Sequence, residues 1–160
     1  MYKRQGGDRS RFLGEAVAAG RSALEVFTRA AEPQDWVLTQ GVVAQGLRNE
    51  ADAASGPDRA RLYGEAAVAY RAMLEVYRVA NAPKDWARTQ DNLADALRGE
   101  ADATIGADRA PLYGDAVAAK RATLEVYTTA AYPGKYQQQN KWIAEVEASL
   151  SGSPAAARPQ

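Results

Sequence analysis

Residues able to do chemistry are scarce in this chain, and their kinds limit what that chemistry could be. It has no histidine and no cysteine. That removes the commonest general base and the commonest metal ligand, along with thiol catalysis and disulfides. Carboxylates, amides and indoles remain. Asp91 with Asp95, and Glu100 with Asp102, pair acids along a helix, as a metal site or an acid/base pair would require. With no histidine beside them and no aromatic-lined cleft, they read instead as a solvated helix face or as caps. Trp36, Trp86 and Trp142 could form an aromatic ligand box, but their place on apolar stripes makes them inter-helix core. Gln40 and Gln90 stand beside the same stripes. They could read a peptide backbone; the plainer reading is a buried amide bonded to a helix end. Gly14, Gly64 and Gly114 fall mid-helix, where glycine costs about 1 kcal/mol against alanine, so their recurrence predicts close helix–helix approach. No GxxxxGK or GxGxxG pattern follows a strand, so no phosphate loop is expected. The residues therefore predict no enzymatic activity, no cofactor and no metal.

The elements that position these residues repeat. PQDWVLTQGVVAQGLRNEADA from Pro33 returns as PKDWARTQDNLADALRGEADA from Pro83, with Trp36 and Trp86 50 positions apart. Asp8-Arg9, Asp58-Arg59 and Asp108-Arg109 open successive blocks, and Pro33, Pro83 and Pro133 close them. A fixed period of this kind is the mark of a solenoid or array. Apolar residues at steps of three and four (Leu62, Ala66, Tyr70, Met73, Leu74, Tyr77, Ala80 in the second block) predict an amphipathic helix after each Asp N-cap. The first should run from Asp8 to about Ala31. Each should end before its proline, and a short turn should lead to Asp35 or Asp85 as the N-cap of a second helix. That second helix could stop at Asn49 or Gly99, or continue to Ala53 or Ala103; Gly56 and Gly106 should turn the chain into the next block. In the third copy Tyr136, Asn140 and Glu147 replace tryptophan, glutamine and core leucine, which suits a terminal helix with a polar outer face.

The predicted organisation is a lead-in over 1–7 without structure, units 8–53, 58–103 and 108–150 with the last helix as cap, and a disordered tail over 151–160. The Met1–Gln5 segment has no apolar stretch behind it and so is no signal peptide. It resembles a translated sequencing adapter, which predicts a true chain extending upstream. Formal net charge is zero, from 20 basic and 20 acidic residues, which argues against nucleic acid as partner. No apolar run reaches the ~20 residues of a membrane span, and a cytoplasmic location is expected. One helix pair cannot bury its own apolar face, so roughly three units are a minimum. The first helix should expose apolar surface and allow self-association.

Asn92-Leu93-Ala94-Asp95-Ala96-Leu97 resembles the NLGNAY segment of a tetratricopeptide repeat. Ala66 and Tyr70 match the small and aromatic positions of that family's second helix, and Pro83 its closing proline. The resemblance covers residues 8–150 and is strongest to long-period arrays of bacterial proteins that carry DWAxTQxNL in each unit. The link between helices is longer here, and the period exceeds the common ~34 residues. The resemblance implies an all-α, right-handed αα-hairpin solenoid of about six helices in three pairs, binding proteins in a concave groove lined by the first helix of each unit. On this chain that implies Arg88, Asp91, Asp95 and Arg98, with counterparts Leu38, Gly41, Gln45 and Arg48, then Gln138, Lys141 and Glu145. The expected function is a non-catalytic scaffold for a protein or peptide partner. The alternative is a structural or sensory segment of a larger bacterial signalling protein or enzyme with its effector domain upstream. Converting Arg48 and Arg98 together to Glu should weaken partner binding and leave helicity and melting nearly unchanged.

Overall fold

The sequence folds into consecutive helices, seen in a computed structural model that describes the backbone over residues 3–151 and the side chains over 12–150. The helices are α1 (Lys3–Val26), α2 (Pro33–Ala53), α3 (Gly56–Met73), α4 (Pro83–Ala103), α5 (Arg109–Ala122) and α6 (Pro133–Ser151), with a 3-10 turn over Thr123–Glu125 after α5. The described residues are all-helical, with no strand, and none of their helices is long and apolar enough to cross a membrane. Each helix packs on the one before it and the one after it in the chain, α6 most thinly.

Several boundaries differ from expectation, for local reasons. Pro33, Pro83 and Pro133 open helices instead of closing them. Proline fits a first helical position, where its missing N–H has no intrahelical partner and its φ is already helical. The preceding helices stop well before, at Val26, Met73 and Ala122. Turns held by side chains fill the gap: Thr28 and Thr128 accept the N–H of Ala31 and Ala131 at 3.2 Å, and Asn81 accepts that of Arg78 at 2.8 Å. Asp35 and Asp85 are therefore not N-caps. They sit inside the first turn, where a carboxylate complements the helix dipole, and Asp85 pairs with Arg88 at 2.7 Å. Likewise α1 is already helical from Lys3, through Gly6-Gly7, where a lead-in without structure was expected. Residues 1–2 and the predicted tail beyond Ser151 lie outside the described residues.

α2 and α4 continue to Ala53 and Ala103, so Asn49 and Gly99 are interior. Gly99 is there because Tyr63 crosses it: a Cβ would lie 2.6 Å from the tyrosine ring. The turns onward do use glycine, at φ +59° for Gly56 and +94° for Gly106, a region that side chains avoid. Close approach at the mid-helix glycines holds for Gly64, whose Cβ would stand 2.9 Å from Glu100 Oε1. It fails for Gly114, which has nothing within 4 Å.

The core is alanine-rich, with Val37, Leu47, Tyr70, Leu93 and Leu97 as its larger members. Trp36 and Trp86 are half-buried and pack against its margin. In α6, Ile143 and Val146 turn inward, while Gln137, Gln138, Lys141 and Glu145 stay exposed. At the other end Phe12 is 66% exposed, although Leu62, one block later, is only 8% exposed. Leu38 and Val42 on α2 are 61% and 55% exposed.

Side chains also join every second helix. Arg21 on α1 meets Glu65 on α3 at 2.7 Å, Arg48 on α2 donates to Asn92 on α4 at 3.2 Å, and Arg71 on α3 meets Asp115 on α5 at 3.2 Å. Arg21–Glu65 and Arg71–Asp115 fall at matching places one block apart, while Arg48–Asn92 joins the other set of helices, where Arg98 and Trp142 meet one block later.

Candidate partner-binding face

Arg88, Asp91, Asp95 and Arg98 lie at steps of three, four and three along α4, which places them on one side of the helix. The structure gives two of them an internal partner. Lys120 on α5 reaches Asp91 at 2.6 Å and Asp95 at 3.0 Å, with its own side chain only 4% exposed. A lysine this deep needs matched charge, because desolvating an unpaired ammonium is costly. The two aspartates are thus not a plain solvated face, as expected from sequence, but the counter-charge of a buried cation. Nor do they make an acid/base pair, since the ammonium stands between them. Lys120 also lies 4.3 Å from the centroid of the Trp142 ring, and Arg98 lies 5.4 Å from the same centroid. Trp142 is therefore more than core: it is half-buried and carries two cations on its ring, a favourable use of the indole quadrupole.

The neighbouring block builds a related but different patch. Where the third block has Lys120, the second has Tyr70; where α6 has Trp142, α4 has Asn92. Arg48 donates to Asn92, and its charge bears on the Tyr70 hydroxyl. That hydroxyl is buried and makes no hydrogen bond, as is also true of Glu50 Oε1. Burial raises the Tyr70 pKa, with the Arg48 charge opposing and Asp95 adding to the rise. Tyr127 is raised by burial and by Asp91, and Tyr77 by burial and by Asp85. A neutral phenol that keeps its proton is a hydrogen-bonding group here, not a base.

The remaining expected residues are not drawn into this cluster. Leu38 is exposed, Gln45 bonds only along its own helix to Asn49 at 3.1 Å, and Arg88 pairs with Asp85 in its own first turn. Lys141 lies 4.0 Å from Glu145 on α6. Sequence reasoning missed Lys120, Tyr70 and Asn92 as parts of this face. One signal was available: Lys120 falls in the register position of Tyr70, a residue of the apolar stripe. A charge in that place has to be answered by acids on the adjoining helix.

Away from the face, Asp52 and Asp102 accept hydrogen bonds from the Tyr63 and Tyr113 hydroxyls. Arg59 and Arg109 sit over those rings at 5.6 and 5.4 Å. These repeated triads pin each long helix to the start of the next. Among the described residues, no three acids gather in a way that could hold a metal ion. No family model matches the chain, and neither the curated proteins nor the solved structures give a match.

Proposed function

We propose that the chain is a non-catalytic protein-interaction module, a right-handed stack of helical hairpins of the tetratricopeptide-like kind. Its working surface is the side formed by α2, α4 and α6, with α3 and α5 as floor. The observation that carries the reading is the Asp91–Lys120–Asp95 junction capped by Trp142. It fixes side chains on three helices before any partner arrives, so little ordering entropy is lost on binding. Exposed Arg88, Gln45 and Lys141 stand around it with only own-helix partners. They are available to a peptide or helix laid across the face.

Arg48 and Arg98 are poor residues for testing this, because each also joins two helices. Arg88→Glu with Lys141→Glu is cleaner. A phage-displayed library of short random peptides, selected on the wild-type chain, should yield binders that the double variant holds about tenfold more weakly, the scale of one charge-assisted contact. Far-UV circular dichroism and melting should be unchanged. If every selected peptide binds the double variant as tightly as wild type, the face is misassigned.

A further inference from the structure

The α2–α4–α6 side leaves Gln40 and Gln90 unused. Each is half-buried and lines a cleft elsewhere on the stack. The first cleft, about 490 Å³, lies over α2 between α1 and α3. Val43 and Leu47 floor it beside Gln40, Val68 walls it, and the Arg21–Glu65 ion pair stands at its rim. The second, about 330 Å³, repeats the arrangement over α4 between α3 and α5. Leu93 and Leu97 lie beside Gln90, Ala118 takes the place of Val68, and Arg71–Asp115 stands at the rim. Val68 and Tyr70 are two residues apart on α3, roughly 200° around the helix. The clefts and the polar face therefore open on different sides.

Three features select the ligand. Neither glutamine amide makes a hydrogen bond among the described residues, so each keeps an acceptor and two donors. The rim charges are already matched, so each cleft presents no net charge and complements an uncharged occupant. The same amide over the same apolar floor recurs once per block. A ligand meeting both clefts must therefore repeat hydrogen-bonding groups along its own length, as a polypeptide main chain does. One primary amide can accept from a peptide N–H while donating to a peptide carbonyl.

We propose that Gln40 and Gln90 anchor a second binding surface, which takes an extended, uncharged peptide. Its main chain meets the two amides, and its apolar side chains enter the two clefts, the bulkier one in the first. This surface is independent of the partner-binding face proposed above.

The test selects short random peptides on the wild-type chain and counter-selects on Gln40→Met/Gln90→Met, which keeps side-chain length but removes donor and acceptor without adding charge. Surviving peptides should be uncharged and apolar. Each single Met variant should weaken them at least about fivefold and the double at least about 25-fold, since each amide lost removes one or two neutral hydrogen bonds. Arg88→Glu/Lys141→Glu should not affect them. On titration into the wild-type chain, the Gln40 and Gln90 side-chain NH₂ signals should shift in nitrogen-15 NMR, a readout that needs no variant to fold. The proposal is overturned if no peptide survives counter-selection, if the Met variants bind survivors unchanged, or if those two signals stay still.

Discussion

Replacing Lys120 by Met tests whether the charge junction holds the third block in place. Met keeps the length of the stem and removes the ammonium, so Asp91 and Asp95 face each other without a cation. Removing one partner of a fully buried ion pair costs about 3–5 kcal/mol. Here the aspartates are 27% and 39% exposed, so water recovers part of their solvation and the loss should fall to about 2–3 kcal/mol. At about 2–4 °C per kcal/mol for a chain of this size, melting should drop by roughly 5–10 °C. The triple variant Lys120→Met/Asp91→Asn/Asp95→Asn removes both signs of charge together. It should return to within about 1 kcal/mol of wild type, because a whole buried ion set can often be replaced by neutral groups at little cost. Urea unfolding followed by far-UV circular dichroism gives both values, provided the slope with denaturant is unchanged. A loss under about 1 kcal/mol for Lys120→Met, or a triple variant no better than the single, would refute the claim that charge matching sets the energy of this junction.

Two further outcomes are expected. Gly99→Ala should destabilise by about 1–3 kcal/mol, since its Cβ would meet the Tyr63 ring at 2.6 Å and overpacking forces a shift; Gly114→Ala, with nothing within 4 Å, should instead stabilise by about 0.5–1 kcal/mol through helix propensity. If the two changes have the same sign in urea unfolding, the contact argument fails. Burial raises the Glu100 pKa above its ordinary value of 4.5, with the Arg71 charge opposing. A raised folded pKa means that the folded state favours the protonated acid. This contribution to stability is fully present below pH 4.5 and is lost as pH rises through the higher folded value. Glu100→Gln should therefore melt above wild type at neutral pH, with the difference shrinking in acid; a difference constant with pH would contradict it.

Helix identity was legible because period and stripe agree: the run from Trp86 to Leu97 reads as one amphipathic helix, and it is one. The direction in which proline acts was not legible. A proline after an apolar run can end one helix or begin the next, and Asp85 two residues on looks like an N-cap in either case. Only the turn bonds made by Thr28, Asn81 and Thr128 decide, and they are contacts of irregular backbone with no periodic signature. For the candidate site, spacing placed Arg88, Asp91, Asp95 and Arg98 on one side of α4. Which of them are free depends on Lys120, distant in sequence and on another helix. Register hinted at its burial, since Lys120 takes the place of Tyr70 in the apolar stripe, but which acids answer the charge shows only when the two helices are laid together. Gln40 and Gln90 carry the same lesson in reverse. Hydrogen bonding to a helix end is the usual fate of such an amide, and the structure gives neither one that partner.

The links that skip a helix (Arg21 to Glu65, Arg48 to Asn92, Arg71 to Asp115) have a mechanical consequence. The ion pairs among them are exposed and each adds little to overall stability. They nevertheless brace alternate layers against sliding, much as cross-ties hold rails in gauge. Sliding one helix would part a contact two helices away as well as the packing beside it.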